Sequence, residues 1–202
     1  MSRDLILKLG EDAWNYYSER QTDPVFAKFE KTVLERDAYR CVFCDFSASS
    51  GMMVINLDHD YTNNKLSNLA TACPFCQQCL FLEAAGHFQP GGGTIVYLPE
   101  ISQAQLNALS HVLYASIVNG SMHAKSSDSY IQSIKLRASI VEKKFGKNMS
   151  SPSFLGQMLI DTPAPDIEQR RISILRDLRL LPSLEKYQSL VITWAKSAIS
   201  TS

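Results

Sequence analysis

Two Cys-x-x-Cys pairs, a β-rich run between them, and a series of amphipathic stripes beyond residue 99 predict an α+β fold. The expected architecture is a small metal-stapled ββα module packed against a mainly α-helical C-terminal region. Residues 1–98 form the module with an N-terminal helix, residues 99–202 form the helical region, and the two pack as one compact unit.

The elements follow in chain order. Asp23-Pro24 starts a helix, with the acid as cap and the proline in the first turn. Phe26, Phe29, Val33 and Leu34 share its apolar face, and the helix delivers residues 36–40 to the first cysteine pair. Residues 52–59 read as a strand ending at Asp58 and His59. Residues 66–70 lead into the second pair, and residues 74–85 read as a helix stopped by Gly86. Gly91, Gly92 and Gly93 make a loop before the β-rich residues 94–98.

Beyond it, Ser102 caps a helix whose stripe is Leu106, Leu109, Leu113 and Ile117, ending at Asn119-Gly120. Ile131, Ile134, Ala138, Val141 and Phe145 continue the same spacing until Gly146. Prolines at 152, 163, 165 and 182 punctuate the rest. They leave a helix over 167–181 and a last one carrying Leu184, Tyr187, Val191, Trp194 and Ala198.

Composition narrows the function. Hydrophobic residues make up 45% and charged residues 20%, enough for an ordinary core. Twenty Lys and Arg balance twenty Asp and Glu, so the basic excess of a phosphate-neutralising protein is missing, which counts against nucleic acid as the main partner. The Leu5-Ile6-Leu7 run is too short for a signal-peptide core, and no apolar stretch is long enough to span a bilayer. The expectation is a cytoplasmic protein without direct membrane insertion.

In a reducing compartment, paired Cys-x-x-Cys motifs point to a metal rather than a disulfide framework. Two residues between cysteines let both sulfurs face one tetrahedral centre, and soft thiolates select zinc or iron–sulfur. The expected site is one structural zinc ion on Cys41, Cys44, Cys73 and Cys76. Such binding is worth roughly 10–16 kcal/mol, comparable to or greater than a domain's net stability. A thioredoxin-like reading needs a surrounding βαβ pattern, which is missing. The fifth cysteine, Cys79, stands one helical turn after Cys76: it is expected as a small buried residue on the helix face with Leu82, the alternative being a competing ligand.

Tyr39-Arg40-Cys41-x-x-Cys44, Leu57-Asp58-His59, Ser67-Asn68-Leu69 and Cys73-x-x-Cys76 together resemble the zinc-stapled, treble-clef form of the His-Asn-His nuclease family. The resemblance implies His59 as general base, Asp58 on a catalytic divalent ion, and Asn68 orienting the histidine. The final histidine of that family is replaced here by Gln77, so the fold motif is kept while the catalytic set is broken.

With the long helical tail, this degenerate motif resembles the IcmJ/DotN family, components of the Dot/Icm type IVB secretion coupling complex. That resemblance implies a non-enzymatic zinc-binding adaptor, peripheral to the inner membrane. Its implied partners are a cytoplasmic C-terminal segment of the coupling ATPase and the associated subunits. An adaptor should carry an apolar groove, for example between the module and the helical region. The alternatives are a metal-dependent endonuclease using His59, and a non-catalytic DNA-binding module using Arg36, Arg40, Lys65 and Tyr39.

Overall fold

In a computed structural model that describes residues 3–10, 12–87, 91–163 and 165–200, the chain folds as helices around two separate two-stranded sheets. Helices α1 (Ala13–Arg20) and α2 (Pro24–Arg36) open the fold. The Asp23 carboxylate accepts from the Val25 N–H at 2.8 Å, the expected cap. Phe26 and Val33 bury against Val54 and Leu69, while Phe29 stays partly exposed and off that face. Arg20 docks α1 onto the module. Its guanidinium lies over the Tyr17, Phe26 and Tyr61 rings and donates to the Val54 carbonyl at 2.7 Å.

Strand β1 (Met53–Asn56) pairs antiparallel with β2 (Leu69–Ala72), Met53 opposite Ala72 and Asn56 opposite Leu69. The strand is shorter than the sequence predicted. The Asn56 side chain donates to the Asp60 and Asn63 carbonyls, and this curls the chain away after Asn56.

The helix expected over 74–85 is corrected to α3 (Pro74–Gln77) followed by a 3-10 turn over Gln78–Leu80. The N-terminal segment takes the backbone groups a longer helix would use. Lys8 donates to the Cys79 carbonyl at 2.8 Å, and Leu82 donates to the Lys8 carbonyl at 3.0 Å.

The helix expected over 167–181 is also corrected. After α7 (Pro152–Asp161), helix α8 (Ile167–Leu175) stops, and the chain becomes β4 (Leu178–Pro182). This strand pairs antiparallel with β3 (Gly93–Tyr97), Gly93 opposite Pro182 and Tyr97 opposite Leu178. The ladder joins residues on either side of position 98. A Cβ at position 93 would collide with the Leu181 carbonyl, so the pairing requires glycine there.

Helix α4 (Gln103–Val118) begins at Ser102 with a capping box completed by Gln105. The next stripe is split into α5 (Ala124–Leu136) and α6 (Ala138–Phe145), with Gly146 at φ +114° closing the second. In α9 (Leu184–Ser200), Tyr187, Val191 and Trp194 are buried as expected, and the Ala198 side chain lies outside the described residues. One continuous core runs from Leu5 and Leu7 through the cysteine knuckles to the β3–β4 ladder, α4 and α9. Among the described residues, no helix is long and apolar enough to cross a membrane.

Candidate metal centre

The first cysteine knuckle is a tight loop. Cys41 donates to the Phe46 carbonyl at 2.8 Å and Asp45 donates back to the Cys41 carbonyl at 3.1 Å. Ala38, Tyr39 and Asp45 take left-handed backbone angles to make that curl. The second knuckle sits where β2 runs into α3, with the Cys76 and Gln77 amides donating to the Cys73 carbonyl at 3.0 and 2.8 Å. Val42 donates to the Thr71 carbonyl at 2.9 Å and sews the two together.

This brings the sulfurs of Cys41, Cys44, Cys73 and Cys76 within 4.8 Å of one another, with Cys44 and Cys73 at 3.6 Å. Tetrahedral zinc with bonds of about 2.3 Å sets its sulfurs about 3.8 Å apart, so the donor set fits such an ion. Among the described residues it is the one group of three or more His, Cys, Asp or Glu side chains arranged to hold a metal. Its electrostatics ask for a cation. Hydrogen bonds from Cys44, Cys73 and Cys76 drive the Cys41 thiol down, while burial and the neighbouring sulfurs drive Cys73 and Cys76 up. Four clustered thiolates, three of them buried and Cys44 half-buried, coexist when a divalent ion balances them. Cys79 stands apart as a buried thiol donating to the Phe75 carbonyl at 3.2 Å, and burial pushes it up to about 12.

The residues that complete this centre were missed in the sequence. The inward face of α4 is mixed: Leu106 of the expected stripe is buried beside Tyr114, but so are Gln103, Asn107, Ser110 and His111, whereas Leu109 is 40% exposed. Asn107 Nδ2 lies 3.2 Å from Cys76 Sγ, and His111 Nε2 lies 3.3 Å from Cys73 Sγ. The His111 ring is sandwiched between Phe46 and Phe75, with centroids 3.6 and 4.2 Å away. Trp194 of α9 packs edge-on to Phe46 and donates to the Ser50 carbonyl at 2.9 Å. The available signal was Gln103, Asn107 and His111 recurring every fourth residue.

The nuclease-like residues do not assemble as the resemblance implied. Asn68 engages Asp58 instead of His59, donating to its carboxylate at 2.8 Å and accepting from its backbone N–H at 3.1 Å. Asn63 donates to the other Asp58 oxygen at 2.7 Å. His59, at φ +67°, turns toward the Tyr61 and Phe81 rings, and neither ring nitrogen has a hydrogen-bond partner. Burial, reinforced by Lys8, pushes the imidazole down to about 4. Gln77 is buried with its amide nitrogen unpartnered. Of the candidate phosphate-binding cations, Arg36 is held by Asp37 and Arg40 by Asp45, each at 2.8 Å.

Beside the centre lies a cleft of about 990 Å³ between the N-terminal segment and helices α4 and α8. Ile6, Leu9, Phe43, Ala108, Ile172 and Leu175 contribute its apolar lining, and Cys44 and His59 also border it. Ile6 and Ile172 are 60% and 63% exposed, unusual for isoleucine.

No family model matches the chain. Among curated proteins, the chain is 43% identical over 196 residues to the Type 4 apparatus protein DotN of Legionella pneumophila subsp. pneumophila. The alignment covers 97% of this chain and 91% of that protein.

Proposed function

This chain belongs to the DotN (IcmJ) family of Dot/Icm type IV secretion components, and from that premise we propose that it is a non-enzymatic zinc-binding adaptor of the coupling complex. It acts on the cytoplasmic side of the inner membrane, where it holds a C-terminal segment of the coupling ATPase beside the associated subunits. The zinc is structural, on Cys41, Cys44, Cys73 and Cys76. The cleft between the metal-proximal N-terminal segment and α8 carries the reading. It presents exposed aliphatic side chains in a concave surface of the size a helix or extended segment occupies. Anchoring in such a groove comes from a few apolar side chains of the bound segment.

Pulldown of the ATPase's cytoplasmic segment by the purified chain tests this. Wild type is expected to retain the segment, and Ile172→Glu is expected to lose it at unchanged metal content. A purified chain that ignores the segment ends the reading. The nuclease alternative is tested by plasmid nicking with magnesium, manganese or nickel. No nicking is expected, and nicking abolished by His59→Ala would replace the adaptor by an enzyme.

A further inference from the structure

A zinc ion with four thiolates carries a formal charge of about −2, and a buried dianion needs hydrogen-bond donors as much as it needs its ligands. Both side-chain donors found on these sulfurs come from α4, far from the knuckles in sequence. We propose that Asn107 and His111, with Gln103 behind them, are positioning residues of the metal centre, and that through them the bound metal holds α4 and β4 in place. This rests on the zinc reading above.

The backbone of β4 dictates the polarity of the chain of contacts. Gln103 Oε1 accepts from the Leu180 N–H at 2.8 Å, and Gln103 Nε2 donates to the Leu180 carbonyl at 2.9 Å. That pair fixes which end of the Gln103 amide is which. The second hydrogen on Nε2 goes to Asn107 Oδ1 at 2.9 Å, so the Asn107 NH2 group must turn the other way. It meets the Phe75 carbonyl at 3.1 Å and Cys76 Sγ at 3.2 Å, both acceptors. A flipped Asn107 would press its oxygen against that carbonyl and that thiolate. Asn107 is 0% exposed and Gln103 2%, so water does not compete.

His111 is neutral in the arrangement. Its Nε2 carries the proton toward Cys73, and Nδ1, which has no partner, is left as a bare lone pair between the two phenyl rings. His111 is a donor and not a fifth ligand, since its nitrogen does not join the set of atoms that all lie within 4.8 Å of one another. Two sulfurs of the second knuckle are thus tied to the helical half, one through Gln103 to a strand that begins about 100 residues after Cys76.

The test uses the full chain. Zinc transfer to a colorimetric chelator, absorption of the cobalt-substituted protein, and amide hydrogen exchange with and without metal are measured. Asn107→Leu is expected to hold one zinc but release it roughly 10–100-fold faster. Its sulfur-to-cobalt charge-transfer band is expected to move to lower energy, because an unbonded thiolate gives up its electrons more easily. Gln103→Leu, which touches no sulfur, is expected to move both readouts in the same direction by less. In the wild type, metal removal is expected to unprotect α4 and β4 together with the knuckles. Unchanged release and an unmoved cobalt band in Asn107→Leu overturn the proposal. If that variant does not fold, wild-type exchange decides: protection of α4 and β4 indifferent to metal overturns it equally. A wild type that binds no metal fails the zinc reading first, and the stoichiometry distinguishes that outcome.

Discussion

Two half-buried side chains near the N-terminal segment, Glu83 and His59, hold their ionisable atoms out of water, and their charges oppose each other in pH. Burial pushes the Glu83 carboxyl up to about 7, partly offset by the backbone amides of Glu83 and Gly10. Its folded value is raised, so its contribution to stability is fully present below pH 4.5 and lost as pH rises through about 7. His59 is depressed from 6.5 to about 4, so its contribution is present above pH 6.5 and lost as pH falls through about 4. Each shift corresponds to roughly 3 kcal/mol. Urea denaturation is expected to show Glu83→Gln more stable than wild type at pH 8 and little different at pH 4.5. His59→Asn, which tolerates the left-handed backbone, is expected to flatten the loss between pH 6.5 and 4. At this scale the four cysteines were legible because their spacing states their chemistry. Asn107 and His111 were not, because a polar residue on a helix reads as a solvent-facing one until a thiolate is found opposite it.

Among the elements, the starts of α2 and α4 and the stop at Gly146 were readable from Asp23, Ser102 and Gly146, where local chemistry alone fixes the boundary, but the break between α5 and α6 was not. The two corrected helices were settled by partners distant in sequence. Residues 78–85 give up helix because Lys8 claims their backbone, and residues 178–182 give up helix because β3 offers a ladder. Propensity has no access to either. Helix α7 illustrates how closely such elements are fitted. A Cβ at Gly156 would lie 2.6 Å from the Glu83 N and 2.7 Å from its Cα, backbone that cannot swing aside. Gly156→Ala is therefore expected to lower stability by about 1–3 kcal/mol, read as a fall in the denaturation midpoint, with metal content unchanged.

For the whole molecule, the α+β class and the position of the metal module followed from the cysteine pairs and the stripes. The way the halves interlock did not. Tyr187 and Trp194 of α9 reach Pro74 and Ser50, α4 reaches the sulfurs, and the N-terminal segment lies along residues 79–82. The cysteine cluster, helices and cleft thus share one core, and the adaptor reading depends on that core being set by zinc. Elemental analysis of reduced, chelator-free protein measures it directly. One zinc per chain is expected, falling to near zero with loss of the folded near-ultraviolet signature in Cys73→Ser. A native chain carrying no zinc, or a Cys73→Ser chain that keeps both its metal and its fold, would contradict the account.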